Sequence, residues 1–192
     1  ADNIGALLTF VNKPYQGIIT LKGEHQQYNA ALAVEAVNQL QSALPIDQNQ
    51  LSKGLKKASL PGRFQIREIN NKVIVLDVAP NEAAIKVLAE TLKSEKTPTL
   101  AIFSALKDKN IELMIGAIES CIDEWLIVPL SVNRAISTQE LVEKFSLSSK
   151  ITTCEDMVSA IHQALNTSQY QRVVIFGSFH TVADAMKILD KY

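Results

Sequence analysis

The segment Leu60-Pro61-Gly62-Arg63-Phe64-Gln65, together with Val73-Ile74-Val75-Leu76-Asp77-Val78-Ala79-Pro80-Asn81-Glu82 just after it, decides the fold class. The Pro-Gly pair predicts a turn that presents Arg63. The apolar run Val73–Leu76 predicts a short buried strand that ends at Asp77, and a helix is predicted to begin at Glu82. Because open α/β folds bind their ligands at the carboxyl ends of their strands, the segment is expected to bring a cation and a carboxylate to that edge.

Strand-like and helix-like runs alternate along the rest of the chain. Strands are predicted at Ile66–Ile69, Val73–Leu76, Leu100–Ser104, Trp125–Val128, Lys150–Thr152 and Arg172–Phe176. Helices are predicted at Glu82–Lys93, Ile111–Glu119, Thr138–Phe145, Asp156–Leu165 and Thr181–Leu189. The core strands are continuous apolar runs, which is typical of a parallel sheet with helices on both faces. The pattern therefore predicts an α/β fold with a doubly wound, mostly parallel sheet.

The first sixty residues have a different pattern. Gly17–Lys22 alternates like a strand, and an alanine-rich helix is predicted from Gln26 to about Leu44. Asp47 followed by Gln50 is a capping box that predicts a second helix, to about Ala58. One strand and two helices are too few to close a core, so residues 1–60 are predicted to be a small strand-helix-helix remnant of a preceding domain. Residues 61–192 are predicted to form a domain of their own.

Length, charge and hydropathy exclude several classes of protein. At 192 residues the chain suits one domain, or one domain with a fragment of another. A formal net charge of -1 and the lack of any Lys/Arg run argue against nucleic acid or an anionic membrane as the main partner. The longest apolar runs, such as Ile4–Val11, are too short to cross a bilayer, and that run lacks the flanks of a signal peptide. The expected ligands are therefore small molecules, including anionic ones, that bind at local patches of charge.

Cysteine and histidine spacing indicates no metal site. Cys121 and Cys154 lie far apart and have no second ligand at metal-binding spacing, so they are predicted to be reduced structural thiols in a cytoplasmic protein. The histidines, which are His25, His162 and His180, lack such spacing as well. His162 is expected at the surface of its helix or half-buried.

Polar residues follow the predicted strands and are expected to gather at one edge of the sheet. They are Asp77, Ser104, Lys107, Asp108, Pro129 to Arg134, Gly177, Ser178, His180 and Thr181. Helices that begin there contribute free N–H groups and about half a unit of positive charge each, which suits an anionic ligand. The alternative is that these loops are polar only because they face water. Neither a G-x-x-x-x-G-K-[ST] phosphate loop nor a G-x-G-x-x-G dinucleotide motif occurs in the sequence.

Several single residues leave two interpretations open. Arg63 suits bidentate phosphate binding, or it anchors the linker between domains. Asp77 suits ribose hydroxyls, or it caps the helix after it. Asn29, expected on the first turn of the alanine-rich helix, offers an amide that pairs well with an adenine edge, and a helix-capping segment is the alternative. His180 suits a catalytic base, but local helix-cap or loop hydrogen bonding is favoured because no nucleophile pattern accompanies it.

Motifs in a fixed order along nearly the whole chain resemble one family. They are Glu24-His25-Gln26 with Asn29–Ala33, Leu60–Gln65, Leu76-Asp77-Val78-Ala79 with Asn81, Ser104–Ile111, Val128-Pro129-Leu130 with Arg134-Ala135, and Phe176–Ala183. Together they resemble the bifunctional dihydrofolate synthase/folylpolyglutamate synthases of the Mur ligase superfamily. The resemblance implies that residues 61–192 form the Rossmann-like C-terminal glutamate-ligase domain. It also implies that residues 1–60 are the end of the central ATPase domain with the linker.

The resemblance implies an ATP-dependent amide ligase. In such an enzyme ATP phosphorylates the carboxylate of dihydropteroate or a folate, and the amine of L-glutamate then displaces the phosphate. ATP and magnesium are the implied cofactors, with the magnesium ligands expected in the upstream domain. The implied enzyme is a cytoplasmic monomer whose partners are its own N-terminal ATPase domain and its small-molecule substrates.

The same likeness implies a role for individual residues. Asn29, Arg63 and Asp77 would contact ATP. Lys107 would lie near the incoming glutamate or the γ-phosphate. Glutamate binding would also involve Ser178 and Thr181. The histidines His25 and His180 stay candidates without an assigned role.

Two departures from the family pattern bear on activity. The family's Asp-Val-Ala-His-Asn-Pro is here Asp77-Val78-Ala79-Pro80-Asn81-Glu82, so a proline replaces the histidine and a glutamate replaces the proline. The part of the family's ATPase domain that holds the phosphate loop and the magnesium ligands has no counterpart in the sequence, so the chain alone is expected to be inactive. The alternative is a non-catalytic or degenerate nucleotide- or ligand-binding α/β module.

Overall fold

The computed structural model describes residue 5, residues 7–146 and residues 149–192. It divides into two compact units, Ala1–Leu60 and Pro61–Tyr192. Part of the predicted apolar run Ile4–Val11 lies outside the described residues. Within the described part of the chain, no helix is both long enough and apolar enough to cross a membrane.

The described part of the first unit contains the helices α1 (Glu24–Gln39) and α2 (Gln48–Lys57). The capping box of Asp47 and Gln50 at the start of α2 is confirmed. The strand predicted over Gly17–Lys22 is wrong, because no neighbouring strand in the described part of this unit supplies the hydrogen bonds that a strand needs. The predicted limits of the first helix also shift, since α1 begins at Glu24 and ends at Gln39.

The second unit is built on one six-stranded sheet. The strands are β1 (Gln65–Ile69), β2 (Lys72–Asp77), β3 (Thr99–Phe103), β4 (Glu124–Ile127), β5 (Ile151–Thr153) and β6 (Arg172–Phe176). Their order in the sheet is β1-β2-β6-β3-β4-β5. β1 pairs with β2 in antiparallel fashion, and every other described pair is parallel, which confirms the predicted mostly parallel sheet.

Among the described residues of the second unit, five α-helices cover the two faces of this sheet. They are α3 (Glu82–Lys93), α4 (Ile111–Ile118), α5 (Thr138–Val142), α6 (Met157–Asn166) and α7 (Phe179–Leu189). Buried residues of α3, α4 and α5 belong to one core cluster, and those of α6 and α7 belong to another on the opposite face. The predicted capping box of Ser137 and Glu140 is confirmed. α7 begins at Phe179, before the predicted Thr181, because Ser178 caps it.

The two cores meet at the central strands. β3 and β6 are buried along their whole length, which is the physical reason for their unbroken apolar runs. Trp125, Phe103 and Phe176 pack on the α3 side, with edge or tilted ring contacts of 4.9 to 6.0 Å between centroids. These large buried surfaces hold the strand ends in a fixed arrangement and so position the loops that follow them.

Candidate functional site

The topology predicts a crevice at the carboxyl edge of the sheet, at β6, because the helices after its strands leave on opposite faces. β6 lies between β2 and β3 in the sheet. α3 and α4, which follow β2 and β3, pack on one face, whereas α7, which follows β6, packs on the other. Such a switch in chain direction is the place where open α/β sheets bind ligands.

Asp77, the last residue of β2, holds the Pro-Gly turn against this edge. One oxygen of its carboxylate, Oδ2, accepts a hydrogen bond from the Phe64 backbone N–H at 2.9 Å, and Oδ1 accepts one from the Ala79 N–H at 2.9 Å. Both donors have positive φ angles, 42° at Phe64 and 32° at Ala79, which non-glycine residues adopt only under constraint. The alternative that Asp77 caps α3 is wrong, since Asn81 does so by accepting from the Ala84 N–H.

Arg63 lies in the same turn and is half-buried. Gly62, just before it, accepts a hydrogen bond from the Val78 N–H at 2.8 Å, and Gly177 in turn donates to the Val78 carbonyl at 3.2 Å. The guanidinium carbon of Arg63 lies 5.4 Å from the centre of the Phe179 ring, in a cation–π contact. The turn, the end of β2 and the start of α7 therefore meet at one corner of the edge.

The amino end of α7 is held by a network of buried hydroxyls. Ser178 Oγ accepts from the Thr181 N–H at 3.0 Å and lies 2.8 Å from Thr181 Oγ1, which also contacts the Ser104 carbonyl at 3.3 Å. Ser178 and Thr181 are both buried, so their observed contacts stabilise the turn and the helix start. His180 is exposed on the first turn of α7. Of the two local roles expected for it, helix capping is wrong because Ser178 supplies the cap, and loop hydrogen bonding stays a prediction.

Lys107 lies exposed in the loop after β3, and that loop is tied to the loop after β4. The Lys107 backbone N–H donates to the Arg134 carbonyl at 2.8 Å, and Leu106 forms a bridge with Ala135. Hydrogen bonds from Ser137, followed by the charge of Lys107, lower the pKa of Glu140. The positive charge of Lys107 therefore acts at the amino end of α5 as well as at the edge.

Gly177 and Ser104 approach each other closely at the mouth of the crevice. Gly177 has φ 113°, and a Cβ atom there would lie 2.2 Å from the Ser104 carbonyl oxygen and 2.6 Å from the Phe103 ring. The Ser104 side chain is fully buried, and its Oγ has no hydrogen-bond partner among the described residues. Only glycine fits at position 177, and the sequence signal for this was the Gly-Ser turn directly after a buried strand.

The remaining two candidates lie in the first unit, on α1. Asn29 Nδ2 donates to Gln26 Oε1 at 3.0 Å, and Gln26 Nε2 lies 2.9 Å from His25 Nε2. The expectation that Asn29 sits on the first turn is wrong, because α1 begins at Glu24 and Asn29 falls on its second turn. Asn29 therefore does not cap α1, and its side-chain amide is hydrogen-bonded to the neighbouring Gln26 side chain.

Sequence reasoning missed one residue at the edge, Phe179. It is the first residue of α7, its side chain is 61% exposed, and it packs against the guanidinium of Arg63 in the facing turn. Phe179 is an apolar residue in the predicted turn before Thr181, and nothing in its residue type alone indicates a functional role. Two features of the sequence could have indicated it: its place directly after the Gly-Ser turn and the presence of a cation in the facing turn.

A model of the family described as Mur ligase, glutamate ligase domain, matches residues 62–179. The match runs from the Pro-Gly turn to the start of α7, so it includes the whole sheet and its carboxyl edge. The chain belongs to the Mur ligase family. Its glutamate ligase domain lies in the second unit.

Curated relatives agree with this assignment. The dihydrofolate synthase/folylpolyglutamate synthase of Escherichia coli (strain K12) is 32% identical over 169 residues, which is 85% of this chain and 38% of that protein. The protein of the same name from Bacillus subtilis (strain 168) is 31% identical over 184 residues, 92% of this chain and 42% of the relative. The chain thus spans about two fifths of the length of the curated relatives it matches.

Solved structures give the same result. E. coli FolC in complex with DHPP and ADP superposes with a TM-score of 0.78 at 29% identity, covering 91% of this chain and 40% of that one. A bifunctional folylpolyglutamate synthase/dihydrofolate synthase with Mn, AMPPNP and L-glutamate bound gives a TM-score of 0.75 at 32% identity, covering 91% and 41%. The predicted family and the predicted α/β class are confirmed.

Gly177→Ala is expected to destabilise the second unit by about 3 kcal/mol or more, because the new methyl group meets a backbone oxygen and the φ angle is strained. Gly116→Ala is the matched control. Gly116 is an exposed residue of α4 where a Cβ atom would have no neighbour within 4 Å, so alanine there should stabilise by about 0.5–1 kcal/mol. Urea unfolding followed by circular dichroism measures both, and equal effects would contradict the close approach at Gly177.

Proposed function

We propose that this chain is the glutamate-ligase part of an ATP-dependent amide ligase that joins L-glutamate to dihydropteroate and to folates. The observation that carries the proposal is that Arg63, Asp77 and the amino end of α7 meet at the carboxyl edge of the sheet, beside β6. Two solved structures of relatives with this fold, at about 30% identity, support it: one is a complex with ADP, and the other has AMPPNP and L-glutamate bound. Residues 61–192 would be the glutamate-ligase domain, and residues 1–60 the end of the ATPase domain with the linker.

The nucleotide side of the proposed site would use the turn and the end of β2. Arg63 carries a permanent positive charge and a fork of N–H donors, which matches a phosphate or ribose oxygen. The Phe179 ring limits the positions open to that guanidinium. The Asp77 carboxylate is fixed at the end of β2 by the two backbone N–H groups it accepts, and a carboxylate is an acceptor that suits a ribose hydroxyl. Asn29 on α1 would contact the adenine.

The acyl-transfer side would use Lys107 and the amino end of α7. In the first step a substrate carboxylate oxygen attacks the γ-phosphorus of ATP, and ADP leaves. In the second step the glutamate nitrogen attacks the acyl carbon, phosphate leaves, an amide remains and the nitrogen gives up its proton. Negative charge develops on phosphoryl oxygens in both steps, and a lysine ammonium with helix N–H groups stabilises it. Ser178 and Thr181 would support glutamate binding by holding that helix start in place.

Magnesium is proposed as the cofactor of the complete ligase and not of this chain. Among the described residues, no group of three or more His, Cys, Asp or Glu side chains could hold a metal ion. The magnesium ligands are therefore expected in the ATPase domain. The histidines His25 and His180 have no proposed role in the chemistry.

The first unit supports the proposal of an ATPase domain as partner. Its large apolar side chains are largely exposed, including Leu7 at 98%, Phe10 at 75% and Ile18 at 72%. Its buried apolar residues among those described are Ala30 and Leu51. Because so much exposed apolar surface is unfavourable in water, we propose that the ATPase domain of the same protein covers it.

A second candidate is a degenerate, non-catalytic binding module, which Pro80 and Glu82 favour. Pro80 offers neither an imidazole nor a backbone N–H at the position of the family's histidine. Glu82 begins α3 and pairs with Lys86 at 2.6 Å, so it suits the start of a helix without any catalytic role. Restoring histidine and proline, as Pro80→His with Glu82→Pro, should raise activity if this candidate is right.

The proposal predicts catalysis when the chain follows an ATPase domain, either its own or that of the E. coli relative. This longer protein should form dihydrofolate from dihydropteroate, L-glutamate and ATP. Lys107→Met should lower kcat/KM by about 10²–10³-fold, because it removes a charge that stabilises the transferring phosphoryl group. The reaction is measured by separating folate products by chromatography.

Lys191→Met is the control, since Lys191 is exposed beyond the end of α7, and it should leave kcat/KM unchanged. Full activity of Lys107→Met would contradict the role of Lys107. No product from the unmutated protein, with both substrates bound, would contradict the ligase proposal and favour the binding module.

The chain by itself is expected to bind ATP weakly or not at all. Asn29, Arg63 and Asp77 would supply only the nucleoside side of a cleft whose phosphate loop lies in the ATPase domain. Isothermal titration calorimetry with ATP measures this directly. Micromolar binding would contradict the proposed division of the site between two domains.

A further inference from the structure

A second cavity opens at the amino edge of the sheet, the edge opposite the crevice. Its volume is about 400 Å³, which lies in the range of small-molecule sites. The last turn of α3 with the loop to Pro98 forms one wall, and the 3-10 turn Glu119–Cys121 forms another. Arg172, the first residue of β6, also lines the cavity. The cavity and the crevice lie at opposite ends of β6, which is about 15 Å long at about 3.3 Å per residue.

Arg172 is a buried cation without an ion-pair partner among the described residues. Its residue surface is 7% exposed, and none of the ion pairs of the described residues includes it. Nε donates to Thr99 Oγ1 at 2.9 Å, and Nη1 donates to the carbonyls of Leu92 and Glu95, both at 3.3 Å. No contact among the described residues engages Nη2, so two N–H groups of the guanidinium remain for a ligand.

The charge of this guanidinium persists although it is buried. Burial lowers the pKa of Arg172, and the nearby Cys121, Glu95 and Asp123 offset only part of that effect. An arginine side chain nevertheless stays protonated at neutral pH. Buried charges in proteins are as a rule paired, because an uncompensated one costs several kcal/mol. A counter-charge supplied by a bound anion would remove that cost.

The other charged groups around the cavity favour an anion. Lys93 and Lys96 line it and are exposed, where they raise the local concentration of anions. Of the two carboxylates in the lining, that of Asp123 accepts from the Thr99 backbone N–H at 2.7 Å and is committed to the start of β3. Glu95 is exposed and lies between Lys93, the last residue of α3, and Lys96 on the loop that follows. Cationic groups therefore outnumber carboxylates in this lining.

We propose that this cavity binds a small oxyanion, a carboxylate or a phosphate group, with Arg172 as its buried partner and Lys93 and Lys96 at the mouth. The site is separate from the ATP and glutamate site proposed above and does not depend on it. The volume leaves room for a small organic body attached to the anionic group. Phosphate monoesters and organic acids share this chemistry, and the test distinguishes them.

Cys121 gives a direct readout, because its half-buried thiol lines the cavity. The other cysteine, Cys154, is removed as Cys154→Ser. Burial and the charge of Asp156 raise the pKa of the Cys154 thiol, which packs half-buried against the core on the α6 side and contacts Gln163 Oε1. Serine is close to cysteine in size and keeps a donor for Gln163, so it should be tolerated. The rate of Cys121 alkylation by iodoacetamide, an uncharged reagent, is then measured with inorganic phosphate, with succinate and with sodium chloride at equal ionic strength.

Phosphate, succinate or both should slow the alkylation in a saturable manner, whereas chloride should not. Lys93→Gln with Lys96→Gln should weaken the protecting anion about tenfold, equivalent to 1.4 kcal/mol. Lys187→Gln with Lys191→Gln, in the last turn of α7 and just beyond it, is the matched control. α7 packs on the other face of the sheet from α3 and neither lysine lines the cavity, so this variant should leave protection unchanged.

Each outcome decides the proposal. Protection by phosphate alone assigns a phosphate ester, and protection by succinate alone assigns an organic acid. No protection by either anion at millimolar concentration overturns the proposal, as does protection that the cavity variant and the control variant lose equally. The lysine variants carry the test because Arg172 also holds the end of α3, and its replacement risks unfolding.

Discussion

The Asp77 carboxylate accepts hydrogen bonds from two backbone N–H groups, and the placement of the turn that carries Arg63 at the carboxyl edge depends on this. Its donors, Phe64 and Ala79, both have positive φ angles, which cost about 1–3 kcal/mol each. A hydrogen bond to a charged acceptor contributes about 1.5–3 kcal/mol, so the two bonds offset strain of the same size. Through them the end of β2 fixes the turn that carries Arg63, and Phe179 then limits where that guanidinium lies.

Local patterns in the sequence predicted the elements of the second unit well. β6 and α3 have the predicted limits, because unbroken apolar runs and a strong amino cap are local signals. The insertion of β6 between β2 and β3, which creates the crevice, is a long-range pairing that no local pattern contains. In the first unit the predicted strand Gly17–Lys22 is wrong for the same reason, since alternation does not say whether a partner strand exists.

The candidate site divides in the same way. Asp77 and Arg63 were predictable as residues at a strand end and a turn, but their actual partners are backbone N–H groups and an aromatic ring. The roles of Ser178 and Thr181 in holding α7 follow from burial, which the sequence does not give. The lack of an ion-pair partner for Arg172 among the described residues could not be predicted either, because it depends on which carboxylates the tertiary structure brings close to it. Side chains that act through local geometry are predictable, and those that act through tertiary contacts are not.

Amide hydrogen exchange at Phe64 and Ala79, measured by NMR in the unmutated chain and in Asp77→Asn, tests the central claim most directly. Both amides should be protected in the unmutated chain and should exchange much faster in the variant, because asparagine is uncharged and has one acceptor oxygen where aspartate has two. The Ala84 amide, which donates to Asn81, should exchange at the same rate in both and serves as the internal reference. Equal protection of Phe64 and Ala79 in the two proteins would contradict the claim that the Asp77 carboxylate holds the turn.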